Sequence, residues 1–368
     1  MTMGPLPMMR TDLMLLSLGI FFLSERLHLK EIRTFGQEQS DLTLCAVGKI
    51  TGRHGATPQL STSSFSTRNP RCDLRAVTEP LTISQGTSFF SQGWTWRGKL
   101  FLAENPTRIV IAFHGFGRSM VEMGNHLPLY PSNTSMLSIG LSHHNGSLVP
   151  DHSNSFPVLE PGVFHQAIEG WLAELGFSQI PKHLLGYSLG GRIALTLFER
   201  FPLAYHGMIL LAPDGFKKTI LYRFAAETAL GRACWAFMDR HGEATQRLIR
   251  GLHRFKIIPT HLKRFALQHT KDHAMRQLVI QTWETHRLFW PSRTGTERAW
   301  CNLPEREVHV IAVFGSRDTI VPWAWSKPWQ RMSSSHVHFL TIQSGHTMHH
   351  PDTVEELGNV IFKASNET

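Results

Sequence analysis

A serine becomes a nucleophile only when a base takes its proton, a carboxylate steadies that base, and fixed donors receive the oxyanion. The chain carries a candidate for each role. Gly186-Tyr187-Ser188-Leu189-Gly190-Gly191 places a serine among glycines, with an apolar run before it and a helical pattern after it. A sharp strand-to-helix turn leaves little room for side chains, so glycines flank the serine, and the turn sets its oxygen near the positive end of the helix. Gly345-His346 follows the last apolar run, where a turn would fix a base well. His349 and His350 lie close behind as alternatives, or as polar loop and helix-start residues. Asp318, in Phe314-Gly315-Ser316-Arg317-Asp318, is the candidate partner of the base. Asp214 is its rival, read instead as a capping or loop-fixing residue. Backbone N–H groups of Leu189 and Phe116 are the candidate oxyanion donors. His114 is read as a support for the loop that holds Phe116.

These residues need elements that bring distant segments to one edge. Arg108–Phe113 reads RIVIAF, a short and nearly unbroken apolar run of the kind that fills a sheet covered on both faces. Residues 136–141, 183–187, 208–212, 309–314 and 336–342 repeat that texture. Phe89–Ala103 suggests one or two strands with a turn near Gly98. Helical periodicity covers 163–175 and 190–199, and residues 352–362 suggest a closing helix. Strands alternating with helices predict an α/β fold with a mostly parallel sheet. From about 216 to 303 no strand is evident, and stretches such as HAMRQLVIQTWETHRLFW read as amphipathic helices, a cap or lid inserted between two strands.

On these motifs the chain resembles the alpha/beta-hydrolase superfamily over about residues 85 to 365, in its cap-bearing esterase and lipase-like branch. His114-Gly115-Phe116-Gly117 resembles the oxyanion loop, residues 186–191 the nucleophile elbow, Gly315-Ser316-Arg317-Asp318 with Val321-Pro322 the acid loop, and Gly345-His346 the histidine loop. The order Ser, Asp, His matches the family. The resemblance implies an eight-stranded sheet with helices on both faces and a helical cap after the sixth strand. It also implies Ser188, Asp318 and His346 as catalytic residues, with Phe116 and Leu189 as oxyanion donors. The expected organisation is an N-terminal extension at 1–80, core at 81–216, cap at 217–303 and core again at 304–368.

The implied function is a serine hydrolase acting on a carboxylic ester or related carbonyl compound, with no metal or organic cofactor. Carbon–carbon bond hydrolysis, haloperoxidase or transferase activity, and non-catalytic ligand binding on the same fold are the alternatives. Composition narrows other classes. The 368 residues are 42% hydrophobic, enough for a large core. Net charge is +9 and histidines number 22, which would suit nucleic acid or zinc. Neither is expected, because no recognition motif or converging ligand set accompanies them. The four cysteines, Cys45, Cys72, Cys234 and Cys301, form no CxxC. Residues 217–300 hold 16 Lys and Arg against 6 Asp and Glu, so the basic excess belongs to the cap. A positive field there would suit an anionic or lipid-like substrate, and peripheral membrane contact is left open. Leu13–Leu23 is apolar but too short for the roughly 20 residues of a spanning helix. Cytoplasmic localisation is expected, with secretion or membrane association left open by that run.

Overall fold

The computed structural model describes residues 83–151, 156–218, 222–254, 267, 273–301, 303–332 and 335–366. The N-terminal extension at 1–80 therefore lies outside the described residues, as does Leu13–Leu23.

Eight strands form one sheet: β1 Ile83–Ser91, β2 Trp94–Leu102, β3 Arg108–Phe113, β4 Thr134–Ile139, β5 Lys182–Tyr187, β6 Met208–Leu211, β7 Val310–Gly315 and β8 Val337–Ile342. Their spatial order is β1-β2-β4-β3-β5-β6-β7-β8. β1 and β2 pair antiparallel, as do β2 and β4, and every later pair is parallel. The hairpin turn falls at Gln92 and Gly93, with φ of 51° and 81°, rather than near Gly98. Two left-handed residues match the right-handed twist of a tight hairpin. Gly98 lies mid-strand instead, where the Trp171 ring comes too close for any side chain.

Alternate residues of the central strands feed two cores. Ile109, Ile111 and Phe113 of β3 join one buried cluster, and Val110 and Ala112 join the other. β7 divides in the same way, with Val310, Ala312 and Phe314 facing one side and Ile311 and Val313 the other. Both faces being dry is why these strands read as unbroken apolar runs. The helices α1 Pro161–Glu174 and α2 Leu189–Arg200 belong to the connections around β5.

After β6 the chain turns helical: α3 Ala229–Arg240, α4 Gly242–Arg254, α5 His273–Thr285 and α6 Arg293–Cys301, preceded by one π-helical stretch at Arg223–Glu227. This insertion matches a cap region. Tyr222, Ala226, Val279 and Trp283 form its small apolar core, and Phe116 and Trp290 pack against it. Arg247, Arg250 and Arg254 are exposed along α4. Lys256, Lys263 and Arg264 lie outside the described residues. Cys301 is a free, exposed thiol. After β7 come α7 Lys327–Gln330 and, after β8, α8 Pro351–Asn366.

The localisation expectation is corrected here. It allowed membrane association through an apolar segment, but no helix among the described residues is long and apolar enough to cross a membrane. The longest of them, α8, has 16 residues, short of the roughly 20 that a bilayer needs.

Candidate active site

The parallel strands end at one edge, and the loops leaving β3, β5, β7 and β8 meet there. The tightest is the turn from β5 into α2. Ser188 sits in it with φ 51° and ψ −115°, a backbone conformation that a non-glycine residue adopts only under constraint. The constraint is visible. Ser188 donates its N–H to the Leu211 carbonyl at 3.0 Å, and its own carbonyl accepts N–H bonds from Gly191 and Asp214, each at 2.9 Å. A β-carbon on Gly190 would fall 2.0 Å from the Phe113 carbonyl oxygen, so only glycine lets α2 approach β3 this closely.

Ser188 is 8% exposed. Its Oγ lies 3.0 Å from His346 Nε2, and His346 Nδ1 lies 2.8 Å from Asp318 Oδ2. The Asp318 side chain is fully buried. Its second oxygen, Oδ1, accepts the N–H groups of Ile320 at 2.7 Å and Val321 at 3.0 Å. Both oxygens of a buried carboxylate are thus satisfied, which fixes its orientation toward the imidazole. The three expected residues come from three different loops and form one continuous line of hydrogen bonds.

The rivals lie elsewhere. His349 is buried beneath Tyr187, with ring centroids 4.2 Å apart, and neither of its nitrogens has a hydrogen-bond partner among the described residues. Burial holds its pKa well below the usual imidazole range, with nearby cations and imidazoles adding to the effect. His350 is exposed beside Asp352, at 3.5 Å. Asp214 accepts the Gly215 N–H through Oδ1 at 2.8 Å and faces Arg192 through Oδ2 at 3.4 Å.

Phe116 lies in the loop after β3, and Leu189 opens α2, where the first N–H groups of a helix lack intrahelical acceptors. Two histidines brace the Phe116 loop. His114 Nε2 accepts the Leu141 N–H at 3.0 Å, and Asn145 Nδ2 is also 3.0 Å away, so its proton sits on Nδ1, 2.7 Å from the Gly115 carbonyl. His144 Nε2 accepts the Gly117 N–H at 3.1 Å, and its Nδ1 faces the Ser142 carbonyl at 3.0 Å. These tautomers follow from the donors facing each ring. Desolvation pushes the pKa of His114 down to about 3 and that of His144 to about 4, so both are neutral at pH 7.

The sequence does not single out His144 from its neighbour His143. Nothing in its spacing marks it; its role comes from burial against a loop 27 residues away. Tyr187 was seen only as part of the serine motif. Its hydroxyl donates to the His346 carbonyl at 3.1 Å, tying the end of β5 to the histidine loop. Among the described residues no group of three or more His, Cys, Asp or Glu is arranged to hold a metal ion.

Residues 86–357 match the family model described as "Alpha/beta hydrolase family". The chain belongs to that family. Hydrolase character at the level of the alpha/beta hydrolases follows from this membership. No curated protein matches the chain. Among solved structures, this alpha/beta hydrolase is similar to a thioesterase domain from the curacin biosynthetic pathway, with 15% identity and a TM-score of 0.49, over 76% of this chain and 99% of that one. It is similar to a thermophilic esterase from Thermogutta terrifontis, with 15% identity and a TM-score of 0.48, over 77% and 97% of the two chains. It is also similar to a haloalkane dehalogenase from Bradyrhizobium elkani USDA94, with 15% identity and a TM-score of 0.48, over 78% and 100%.

Proposed function

We propose that the protein is a serine hydrolase of the esterase and lipase-like branch, cleaving a small-molecule carboxylic ester or related carbonyl compound through an acyl-enzyme. The observation that carries this reading is the line Asp318 Oδ2, His346 Nδ1, His346 Nε2, Ser188 Oγ, with links of 2.8 and 3.0 Å.

In the proposed sequence, His346 Nε2 takes the Ser188 proton as Oγ attacks the carbonyl carbon. The carbonyl oxygen becomes an oxyanion and is received by the N–H groups of Phe116 and Leu189. His346 then passes its proton to the leaving alcohol, and the C–O bond breaks. Water enters, gives a proton to the same nitrogen, and attacks the acyl group. Collapse of the second tetrahedral species returns the proton to Ser188 and releases the acid. Throughout, Asp318 holds Nδ1 protonated and stabilises the transient imidazolium. No step draws on a metal or organic cofactor. The same reading keeps the division into core at 81–216, cap at 217–303 and core at 304–368, behind an extension at 1–80. In it the cap's basic excess favours an anionic substrate.

Hydrolysis of p-nitrophenyl butyrate and labelling by a fluorophosphonate probe test this reading. Both are expected in the parent protein and lost in Ser188→Ala. Absence of labelling in folded parent protein overturns it.

A further inference from the structure

The helix behind the nucleophile carries one side chain that the hydrolytic steps above leave unused. Arg192 lies four residues past Ser188, one turn along α2 and on the same helical face. It is 1% exposed, one of the most buried charged side chains among the described residues. A guanidinium cannot shed its charge by losing a proton, so its burial has to be compensated by what surrounds it.

The compensation is partial. Nη1 faces Asp214 Oδ2 at 3.4 Å, well beyond the roughly 2.7–2.9 Å of a charge-assisted hydrogen bond. Tyr222 and Trp290 present their ring faces to the guanidinium carbon at 5.0 and 4.5 Å. The two remaining nitrogens, Nε and Nη2, are buried and have no hydrogen-bond partner among the described residues. Those two share one edge of the planar group, the fork whose parallel N–H bonds match both oxygens of a carboxylate. One end of Arg192 thus leans on Asp214, rings cover it, and its bidentate edge is unpaired among the described residues.

The position bears on substrate. The N–H groups of Asp214 and Arg192 both point at the Ser188 carbonyl, at 2.9 and 3.4 Å, so this ion pair is built onto the nucleophile turn. Trp290 belongs to the apolar cluster that Phe116 also packs against. Arg192 therefore stands where the nucleophile helix, the oxyanion loop and the cap meet.

We infer that the Nε and Nη2 edge of Arg192 is a carboxylate subsite, so that the preferred substrate is an ester carrying a free carboxylate. This rests on Ser188 being the nucleophile only for the word ester; the subsite itself can be tested without turnover. Binding to the Ser188→Ala protein is measured by calorimetry for monomethyl glutarate and for dimethyl glutarate, which lacks the carboxylate. The monoester is expected to bind about ten- to a hundredfold more tightly, the range for hydrogen bonds to a charged group. Arg192→Gln in that background should abolish the difference. Arg192→Lys keeps the charge without the fork, should keep only part of it, and serves if the Gln variant does not fold. In the parent protein, kcat/KM for mono-p-nitrophenyl glutarate over that for p-nitrophenyl valerate should exceed one by a similar factor and fall toward one in both variants.

Equal binding of the two glutarate esters overturns the subsite, and so does a preference that survives both substitutions. Preference in binding without turnover by the parent protein overturns the ester reading and leaves the subsite standing. Turnover of the valerate ester without any carboxylate preference does the reverse.

Discussion

Two groups of imidazoles lie at the same edge of the sheet, and they differ in what they face. His346 has a buried carboxylate on one nitrogen and a serine hydroxyl on the other. His114 and His144, with ring centroids 5.3 Å apart, face mainly main-chain N–H and carbonyl groups. A carboxylate partner favours the imidazolium that general-base chemistry must create. A shell of backbone dipoles without a counter-charge favours the neutral ring, and burial strengthens that preference. The same residue type is thus set up to carry a proton in one place and to hold a loop in the other. Burial does not distinguish the two, since all three side chains are nearly dry.

The sharpest way to break this contrast is to remove the carboxylate. Asp318→Asn can turn an amide N–H toward Nδ1, which would leave the proton on Nε2, facing Ser188. The nucleophile then has no base. A loss of about 10⁴ in kcat is expected, with the fold retained. Steady-state kinetics on p-nitrophenyl butyrate checks it, and a loss below tenfold would mean that Asp318 does not set the tautomer. A smaller effect is expected from the other group. His144→Phe keeps a ring but leaves the Gly117 N–H without its acceptor, so the neighbouring Phe116 N–H shifts. A misplacement of about 1 Å costs on the order of 10²-fold. The loss should fall on kcat more than on KM, and the opposite split would remove His144 from the support of the oxyanion loop.

Much of this site is legible in the sequence, and the reason is local. Gly186 is demanded by the backbone of Gly190 and Gly191, within a few residues of Ser188, so the chemistry of the turn leaves its mark in adjacent letters. β3 and β7 are buried on both faces, and apart from Arg108 at the start of β3 they are apolar. What stayed hidden depends on contacts far apart in the chain. His144 meets Gly117 across 27 residues, Tyr187 meets His346 across 159, and Arg192 meets Trp290 through the cap. No local pattern requires those pairs. The hairpin was misplaced for a related reason. Gly98 looked like a turn residue, but its lack of a side chain serves Trp171, which packs over it from α1.

The buried loop histidines also make the fold sensitive to acid. His114 titrates near pH 3 in the folded protein because burial disfavours its charged form. In the unfolded chain an imidazole titrates near 6.5. Between those values the unfolded state holds a proton that the folded state lacks, so stability rises with pH across the window and is lost as pH falls through it. For His114 the slope is about 1.4 kcal/mol per pH unit, on the order of 2 to 3 kcal/mol between pH 6.5 and 4.5. His144, with its folded pKa near 4, acts in the same direction over most of that window. Urea unfolding at a series of pH values measures this. The parent protein should lose stability steadily from pH 6.5 downward. His114→Phe should be less stable at pH 7, because the Leu141 N–H loses its acceptor, yet its stability should fall less steeply with acid. Equal slopes in the two proteins would mean that His114 is not held neutral by burial.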